Sequence, residues 1–538
     1  SNIIRSDARI SFVCVWKNDQ FLEERETSMS FAKEYAKENP EEIAIQDANQ
    51  SLTWDEVDDV LSRCGSGLQA LDLGPDNRVA VFAENSVQTA LANLGGLIGG
   101  ASVVPVNFHL TGDEVNYILQ DSGARVLFVG PETWERGIEA IKNSSVHTLV
   151  SWNVPVKDGM VDWIDWLSKA DPEGLDQTVP PKPNLLYTSG TTGRPKGTDL
   201  PPTMFAGGET VEEHVLNYKM GFLERSGGEV GKQLVVGPMY HTGPLSATRN
   251  LIAGTPSVVL GRFNAEATLE AIANHKITSC LMVPTHFVRL LALPDDVKAS
   301  YDVSSINAIS HTGSKCPVDV KQSMIDWFGP VFLEAYGASE VGSTCMITSE
   351  EWLKYPGSVG KALPPFVAKI LDDEGNELPA NTEGRLFFED TTGRGVIYYN
   401  DPEKSAEAHI APGVFTLGEI AYMNEDGYVF ITDRFSDMVV SGGVNIYPAE
   451  AEQVLIEHPA VLDVACIGVP NKEMGEELKA LVIPREDIET PSEEVVIAWC
   501  REKLSHYKCP RTLEFVDDLG RNTMGKINKR KLRAPYWD

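Results

Sequence analysis

The segment Leu185-Leu-Tyr-Thr-Ser-Gly-Thr-Thr-Gly-Arg-Pro-Lys-Gly197 carries the densest chemistry in the chain. An apolar run suited to a buried strand stops at Thr188, and small or hydroxylated residues follow as far as Gly193. Small residues let backbone N–H groups approach a phosphate closely, and hydroxyls and a lysine add donors. The segment therefore reads as a loop that holds a polyphosphate. It is not a Walker loop, because Pro195 stands where that pattern needs Gly before the Lys. Alone it is equally readable as an ordinary Ser/Gly/Thr turn. Further motifs lie downstream in a consistent order: Pro238-Met-Tyr-His-Thr-Gly243, Tyr336-Gly-Ala-Ser-Glu340, Phe415-Thr-Leu-Gly-Glu419, Asp433-Arg434, Ser441-Gly-Gly-Val-Asn-Ile-Tyr-Pro-Ala-Glu450 and Asn522-Thr-Met-Gly-Lys526.

These segments resemble the motifs of the adenylate-forming superfamily of acyl- and aryl-CoA ligases, luciferases and adenylation domains. The likeness runs from about Phe31 to Leu532 and is greatest to the AMP-forming acyl-CoA ligases. It implies two steps. A carboxylate attacks the α-phosphorus of ATP, giving an acyl-adenylate and pyrophosphate, and a thiol then displaces AMP. Both steps need positioned charge more than acid–base work.

By this resemblance, Lys526, His241 and Glu340 are the expected catalytic residues. Lys526 bridges carboxylate and α-phosphate, and His241 positions the acyl group or shapes the thiol path. Thr188, Ser189, Gly190, Thr191, Thr192 and Lys196 are expected to hold the β- and γ-phosphates. Tyr336, at the end of a strand, stacks on adenine, beside Gly337 and Ser339. Glu419 and Arg434 meet the ribose. Glu340, with Thr188, supplies oxygen to Mg²⁺. Gly442 and Gly443 line the approach of coenzyme A, and His241, Gly243, Thr285, Phe287, His311 and Gly313 line the acyl pocket. The expected cofactors are ATP, Mg²⁺ and coenzyme A.

The chain departs from the family pattern at several positions. Ser339 stands where Thr is usual, keeping the hydroxyl. Leu417-Gly418-Glu419 replaces Thr-Gly-Asp, with a carboxylate one methylene longer. Ser436 occupies a hinge position that usually carries Asp or Lys. Asp199 after the phosphate loop is atypical and has no explanation in the sequence. An amide-forming or luciferase-like enzyme, a carrier-loading domain and a catalytically silent nucleotide-binding protein are the alternatives.

Composition narrows the class. The 538 residues exceed one hydrophobic core, and 42% hydrophobic with 23% charged residues is ordinary for globular domains. A net charge of −32 argues against nucleic acid or an anionic membrane as partner, and the resemblance implies a small-molecule carboxylic acid. A homodimer is compatible with the resemblance. No apolar stretch reaches the length of a membrane span, so no integral membrane segment is expected. The apolar run Ile10–Trp16 is too short and too flanked by charge for a secretory signal. Eight cysteines without a Cys-x-x-Cys pair read as reduced core residues of a cytoplasmic protein, as at Cys280 and Cys466. The basic cluster Lys526, Lys529, Arg530, Lys531 and Arg533 stands out against the acidic background.

The elements that must position these residues alternate. Thr53-x-x-Glu56 predicts a capping box opening a helix with Val57, Val60, Leu61, Cys64, Leu68 and Leu71 on one face. The Gly65-x-Gly-x-x-Ala70 match falls within that helix, not after a strand, and is no dinucleotide site. Strands are predicted at 79–83, 102–106, 124–129, 233–236, 258–260, 279–283, 306–310 and 331–333, with a helix at 90–97. Repeated alternation predicts α/β layers with parallel strands. The expected fold is a large N-terminal α/β domain with a smaller β-barrel-like part, over 1–434, and a small mobile α+β C-terminal domain over 435–538. The second unit is predicted as a helix at 449–457, strands at 464–468 and 479–483, a helix at 493–503 and a strand at 512–516.

Overall fold

The computed structural model describes residues 32–157, 159–188, 195–228, 230–434, 437–485, 488–520 and 527–537, with the side chains of residues 433 and 434 outside that set. The first layer is a five-stranded, wholly parallel sheet. Its strands lie in the spatial order Ser102–Pro105, Arg78–Phe82, Val126–Val129, Thr148–Ser151, Met160–Asp162. Arg78–Phe82, Ser102–Pro105 and Val126–Val129 are buried at every position, as expected where helices cover both faces of a parallel sheet. Thr53 and Glu56 form the capping box of the helix Trp54–Gln69. Gly65 and Gly67 lie within it, as expected, in its last turns. A Cβ on Gly65 would stand 2.8 Å from Leu175 and 3.3 Å from the backbone of Gly99, so this glycine serves close helix packing. Within the expected apolar face, Val60 and Leu71 are only partly buried, and Asp58 and Ser62 share the covered side.

The second layer is a nine-stranded mixed sheet. Its centre holds the parallel strands Ser257–Val259, Gln233–Val235, Ser279–Met282, Ala308–His311 and Phe332–Ala338 in that spatial order. Three match the sequence expectation to within one residue at each end, and two differ by more. The strand expected at 306–310 is shifted to Ala308–His311. The one expected to stop at 333 continues to Ala338, because Gly342–Thr348 pairs with it antiparallel. Tyr336 therefore sits inside a strand, at a register shift between Tyr336 and Gly337. Any Cβ on Gly337 would collide with the Gly342 carbonyl, so the crossing needs glycine.

Residues 366–434 form a six-stranded antiparallel sheet, the counterpart of the expected barrel-like part. The smaller C-terminal unit is built on the long hairpin Val461–Asn471 and Gly475–Pro484, with Val439–Ser441, Val444–Ile446 and the parallel edge strand Thr512–Phe515. The helices Pro448–Leu455 and Glu493–Lys503 cover it, at the expected places. Its core of Val439, Leu455, Val464, Cys466, Ala480 and Val496 is separate from the two large N-terminal cores.

Candidate active site

A cavity of about 1530 Å³ opens where the central strands of the nine-stranded sheet end. Its rim is assembled from distant parts of the chain. The hairpin Leu185–Thr188 with Lys196–Asp199 brings Thr188 opposite Lys196, so both ends of the segment expected to hold phosphate are pinned by a ladder. Lys196 opens the second strand and forms an ion pair with Asp401, which holds its ammonium above the usual lysine range. Ser189, Gly190, Thr191 and Thr192 between these strands lie outside the described residues, as do Lys526 and Ser436.

Thr188 donates through Oγ1 to Glu340 Oε1 at 3.1 Å. Glu340 is 8% exposed, and burial pushes its carboxyl above the usual range, against hydrogen bonds from its own backbone, Thr188 and Tyr398. Such a carboxylate is poorly placed without a cation. The donors are hard oxygens, the kind Mg²⁺ takes. Among the described residues no cluster of three or more His, Cys, Asp or Glu can hold a metal alone. A divalent ion here would complete its shell with phosphate oxygens, as Mg²⁺ commonly does.

Ser339 lines the cavity and shares a 2.9 Å hydrogen bond with the Thr242 hydroxyl. The Thr-to-Ser departure thus keeps a working contact between two motifs. Tyr336 donates through its hydroxyl to Glu419 Oε2 at 2.5 Å, so the longer carboxylate is occupied by the tyrosine. Arg434 pairs through its backbone with Glu419. His241 stands at the N-cap position of the helix Thr242–Arg249, at the cavity wall, with no side-chain bond to the helix backbone. Burial, with His109 nearby, pushes its imidazole down to about 4, so it is neutral at neutral pH. That suits a wall or a hydrogen-bond partner, not a standing positive charge.

Gly243, Gly313, Gly337, Gly442 and Gly443 also line the cavity. Gly313 and Gly443 both have positive φ, at 93° and 81°. A Cβ on Gly313 would meet the Gly443 Cα at 3.4 Å, so the large and small units touch here backbone to backbone.

Three expected pocket residues do not face the cavity: Thr285, Phe287 and His311. The reason for His311 is the two-residue period of a strand: Ser310 and Thr312 face the cavity and His311 points the other way. There it packs edge-on against Phe287 at 5.2 Å, 3.6 Å from Glu334, and burial holds its imidazole well below the ordinary value. Phe287 is wholly buried in the core beneath the sheet. The neighbouring His286 faces the cavity instead, stacked on Phe263 at 4.0 Å.

Sequence reasoning missed a second meeting of the two units. Lys508, 2% exposed, bridges Glu114 Oε1 at 2.9 Å and Glu450 Oε2 at 2.5 Å, while Ser505 donates to Glu114 Oε2 at 2.6 Å. Glu114 already serves the capping box at Thr111. Arg289 adds an exposed ion pair to Glu473 at 2.6 Å. A lysine in the apolar surroundings of Tyr507 and Cys509 was the available signal. Tyr398 and Asp401 carried none.

Comparison with known proteins agrees with this geometry. The family described as AMP-binding enzyme matches residues 32–394, and the AMP-binding enzyme C-terminal domain matches 450–526. A fatty acid–[acyl-carrier-protein] ligase of Streptomyces coeruleorubidus is 30% identical over 94% of this chain and 95% of its own length. A feruloyl-CoA synthase of an Amycolatopsis species is 31% identical over 93% and 97%. In fold, the chain is similar to the amide bond synthetase McbA of Marinactinospora thermotolerans, with a TM-score of 0.78 and 23% identity over 94% of this chain and 100% of that one. Matched in both its large and its small unit, with relatives of this identity along nearly its whole length, the chain belongs to the AMP-binding enzymes and is an AMP-forming carboxylate ligase.

Proposed function

We propose that the protein joins a carboxylic acid to the thiol of coenzyme A through an acyl-adenylate. The observation that carries this reading is the convergence at one cavity of Thr188 with Glu340 on one side and the Gly313–Gly443 backbone contact on the other. The first pair suits a nucleotide phosphate with its Mg²⁺. The second puts backbone without side chains of its own on the cavity wall, where a pantetheine arm could pass along the glycines. The names of the two curated relatives, a carrier-protein ligase and a CoA synthase, both imply a thiol acceptor.

In the first step a carboxylate oxygen attacks the α-phosphorus, the bond to the bridging oxygen breaks and pyrophosphate leaves. Mg²⁺ held at Glu340 would supply charge neutralisation for the departing phosphates. Tyr336 and Glu419 fix one another beside the nucleotide, and the Lys526 ammonium meets the negative charge between acid and phosphate. In the second step the thiol sulfur attacks the acyl carbon, AMP leaves with the bonding pair, and the thiol proton goes to solvent or to the departing phosphate. Neutral His241 and the glycines keep this path open. The boundary between the units falls at 434–435, and the smaller one moves between the steps.

The test measures AMP release with candidate acids in the presence of coenzyme A, an amine or a phosphopantetheinyl carrier, with mass identification of the product. Coenzyme A-dependent release with thioester formation is expected. Release that depends only on the amine, with an amide product, would sink the thiol assignment.

A further inference from the structure

Lys196 is proposed to meet the nucleotide phosphates, but it does not line the cavity. Thr188, paired with it across the hairpin, and Pro195, next to it in the chain, both do. Asp401 holds the lysine instead. The pairing keeps the Asp401 carboxyl below the usual carboxylate range, so a full cation faces a full anion at neutral pH. Each side chain is 24% exposed, so water screens their attraction only in part.

Asp401 is fixed in place by contacts that do not involve the lysine side chain. The Tyr399 backbone N–H donates to the Gly197 carbonyl at 2.7 Å, and the Thr198 hydroxyl donates to the Ile397 carbonyl at 2.8 Å. Residues 397–399 therefore run bonded to the hairpin strand that Lys196 opens. From the other side, the Tyr399 hydroxyl donates to Asp76 Oδ2 at 3.1 Å, and the Arg78 guanidinium lies 4.2 Å over the Tyr399 ring. Asp401 is also the N-cap of the helix Pro402–Glu407. Its Oδ1 accepts from the Lys404 backbone N–H at 3.0 Å, and its Oδ2 takes Lys196. The carboxylate is thus anchored, whereas a lysine carries its charge on a flexible four-carbon stem. If one partner leaves the pair, it is the ammonium.

We propose that Asp401 is a positioning residue that competes with nucleotide phosphate for Lys196: the ammonium rests on Asp401 before ATP binds, moves to the β- and γ-phosphates when it does, and returns to Asp401 as pyrophosphate leaves. This rests on the ligase reading and deepens it. Every phosphate contact of Lys196 is made at the expense of the ion pair, so Asp401 weakens the hold on polyphosphate. The return of the ammonium favours release of pyrophosphate and so opposes reversal of the first step. AMP has neither the β- nor the γ-phosphate, and its affinity is indifferent to where Lys196 points.

The experiment is calorimetric titration of the full chain with ATP, inorganic pyrophosphate and AMP. Asp401→Asn removes the charge and keeps the cap, since Asn caps a helix as well as Asp. It should tighten ATP and pyrophosphate about fivefold, the scale of a partly exposed ion pair, with AMP unchanged. Inhibition of AMP release by pyrophosphate should strengthen by the same factor. Asp401→Ser, which also caps, should behave alike, and an unchanged AMP affinity reports that either variant is folded. Lys196→Met should weaken ATP and pyrophosphate but not AMP, and adding Asp401→Asn to it should bring no tightening. Unchanged or weaker ATP binding in Asp401→Asn overturns the inference. So does an equal shift in all three ligands, or full tightening in the Lys196→Met background, because Asp401 would then not act through Lys196. Wild-type protein that binds neither ATP nor AMP would be a failure of the ligase reading itself.

Discussion

At the scale of single residues, Glu340 shows a conflict between stability and function. Its carboxyl is raised by burial, so the folded state favours the neutral acid. A group with a raised folded value contributes stability that is present below its unfolded value and is lost as pH rises through the folded one. At neutral pH the ligand-free protein therefore lacks stability at Glu340 that it has in acid. Glu340→Gln should raise Tm in the absence of nucleotide at pH 7, an advantage that fades toward acid pH. The same variant should lower Mg²⁺-dependent pyrophosphate exchange by about a hundredfold, the usual effect of one lost charge contact in such a site. Melting curves across pH and exchange rates across Mg²⁺ concentration check both halves, and an unaltered Mg²⁺ requirement would remove Glu340 from the metal. Lys526, outside the described residues, is proposed for the adenylation step alone. Lys526→Ala should reduce exchange by about a hundredfold or more while thioester formation from a supplied acyl-adenylate largely survives. Equal loss in both half-reactions would count against this role.

At the scale of elements, the site is made by strand ends and turns. The hairpin ladder pins Thr188 and Lys196, and the strand that carries Tyr336 is lengthened by its antiparallel neighbour. The turn Gly442-Gly443 joins two short strands of the smaller unit and delivers backbone to the cavity. Gly443→Ala places a methyl 3.0 Å from Val283 Cγ1 and demands a left-handed φ of 81° from an L-residue. The methyl narrows the proposed thiol path and strains the turn by roughly 1 kcal/mol. Thioester formation should fall at least tenfold with pyrophosphate exchange nearly intact. Single-step measurements on the purified variant check this, and parallel loss of both would place the turn outside the thiol path. These elements were largely legible in advance. Regular apolar runs such as Val79–Phe82 mark strands, and the Thr53/Glu56 box marks a helix start, because both signals are local. The extension to Ala338 was not legible, since a strand's length depends on the partner beside it.

At the scale of the whole molecule, the two units are held in their present arrangement by the buried contact of Lys508 with Glu114 and Glu450. Lys508→Met leaves two carboxylates close together, buried and uncompensated, which typically costs about 3 kcal/mol or more. The loss should be greatest at neutral pH and shrink as pH falls and the carboxylates take up protons. Denaturant unfolding at several pH values measures this, and a pH-independent loss would point to packing alone. Other properties of the whole chain were fixed by composition. The acidic balance is visible in the residues themselves, and among the described residues no helix is long and apolar enough to cross a membrane. The sequence by itself determined the family, the order of the motifs and the chemical type of the residues in them, because these depend on residue identity and spacing along the chain. Only the tertiary structure decided which residues meet. It turned His311 and Phe287 into the core, and it brought Ser339 to Thr242 and Tyr336 to Glu419. It also set Lys508 between two carboxylates 394 and 58 residues away in sequence. The physical reason is that side-chain direction follows strand register and sheet pairing, and pairing is settled by contacts between segments that no local pattern encodes.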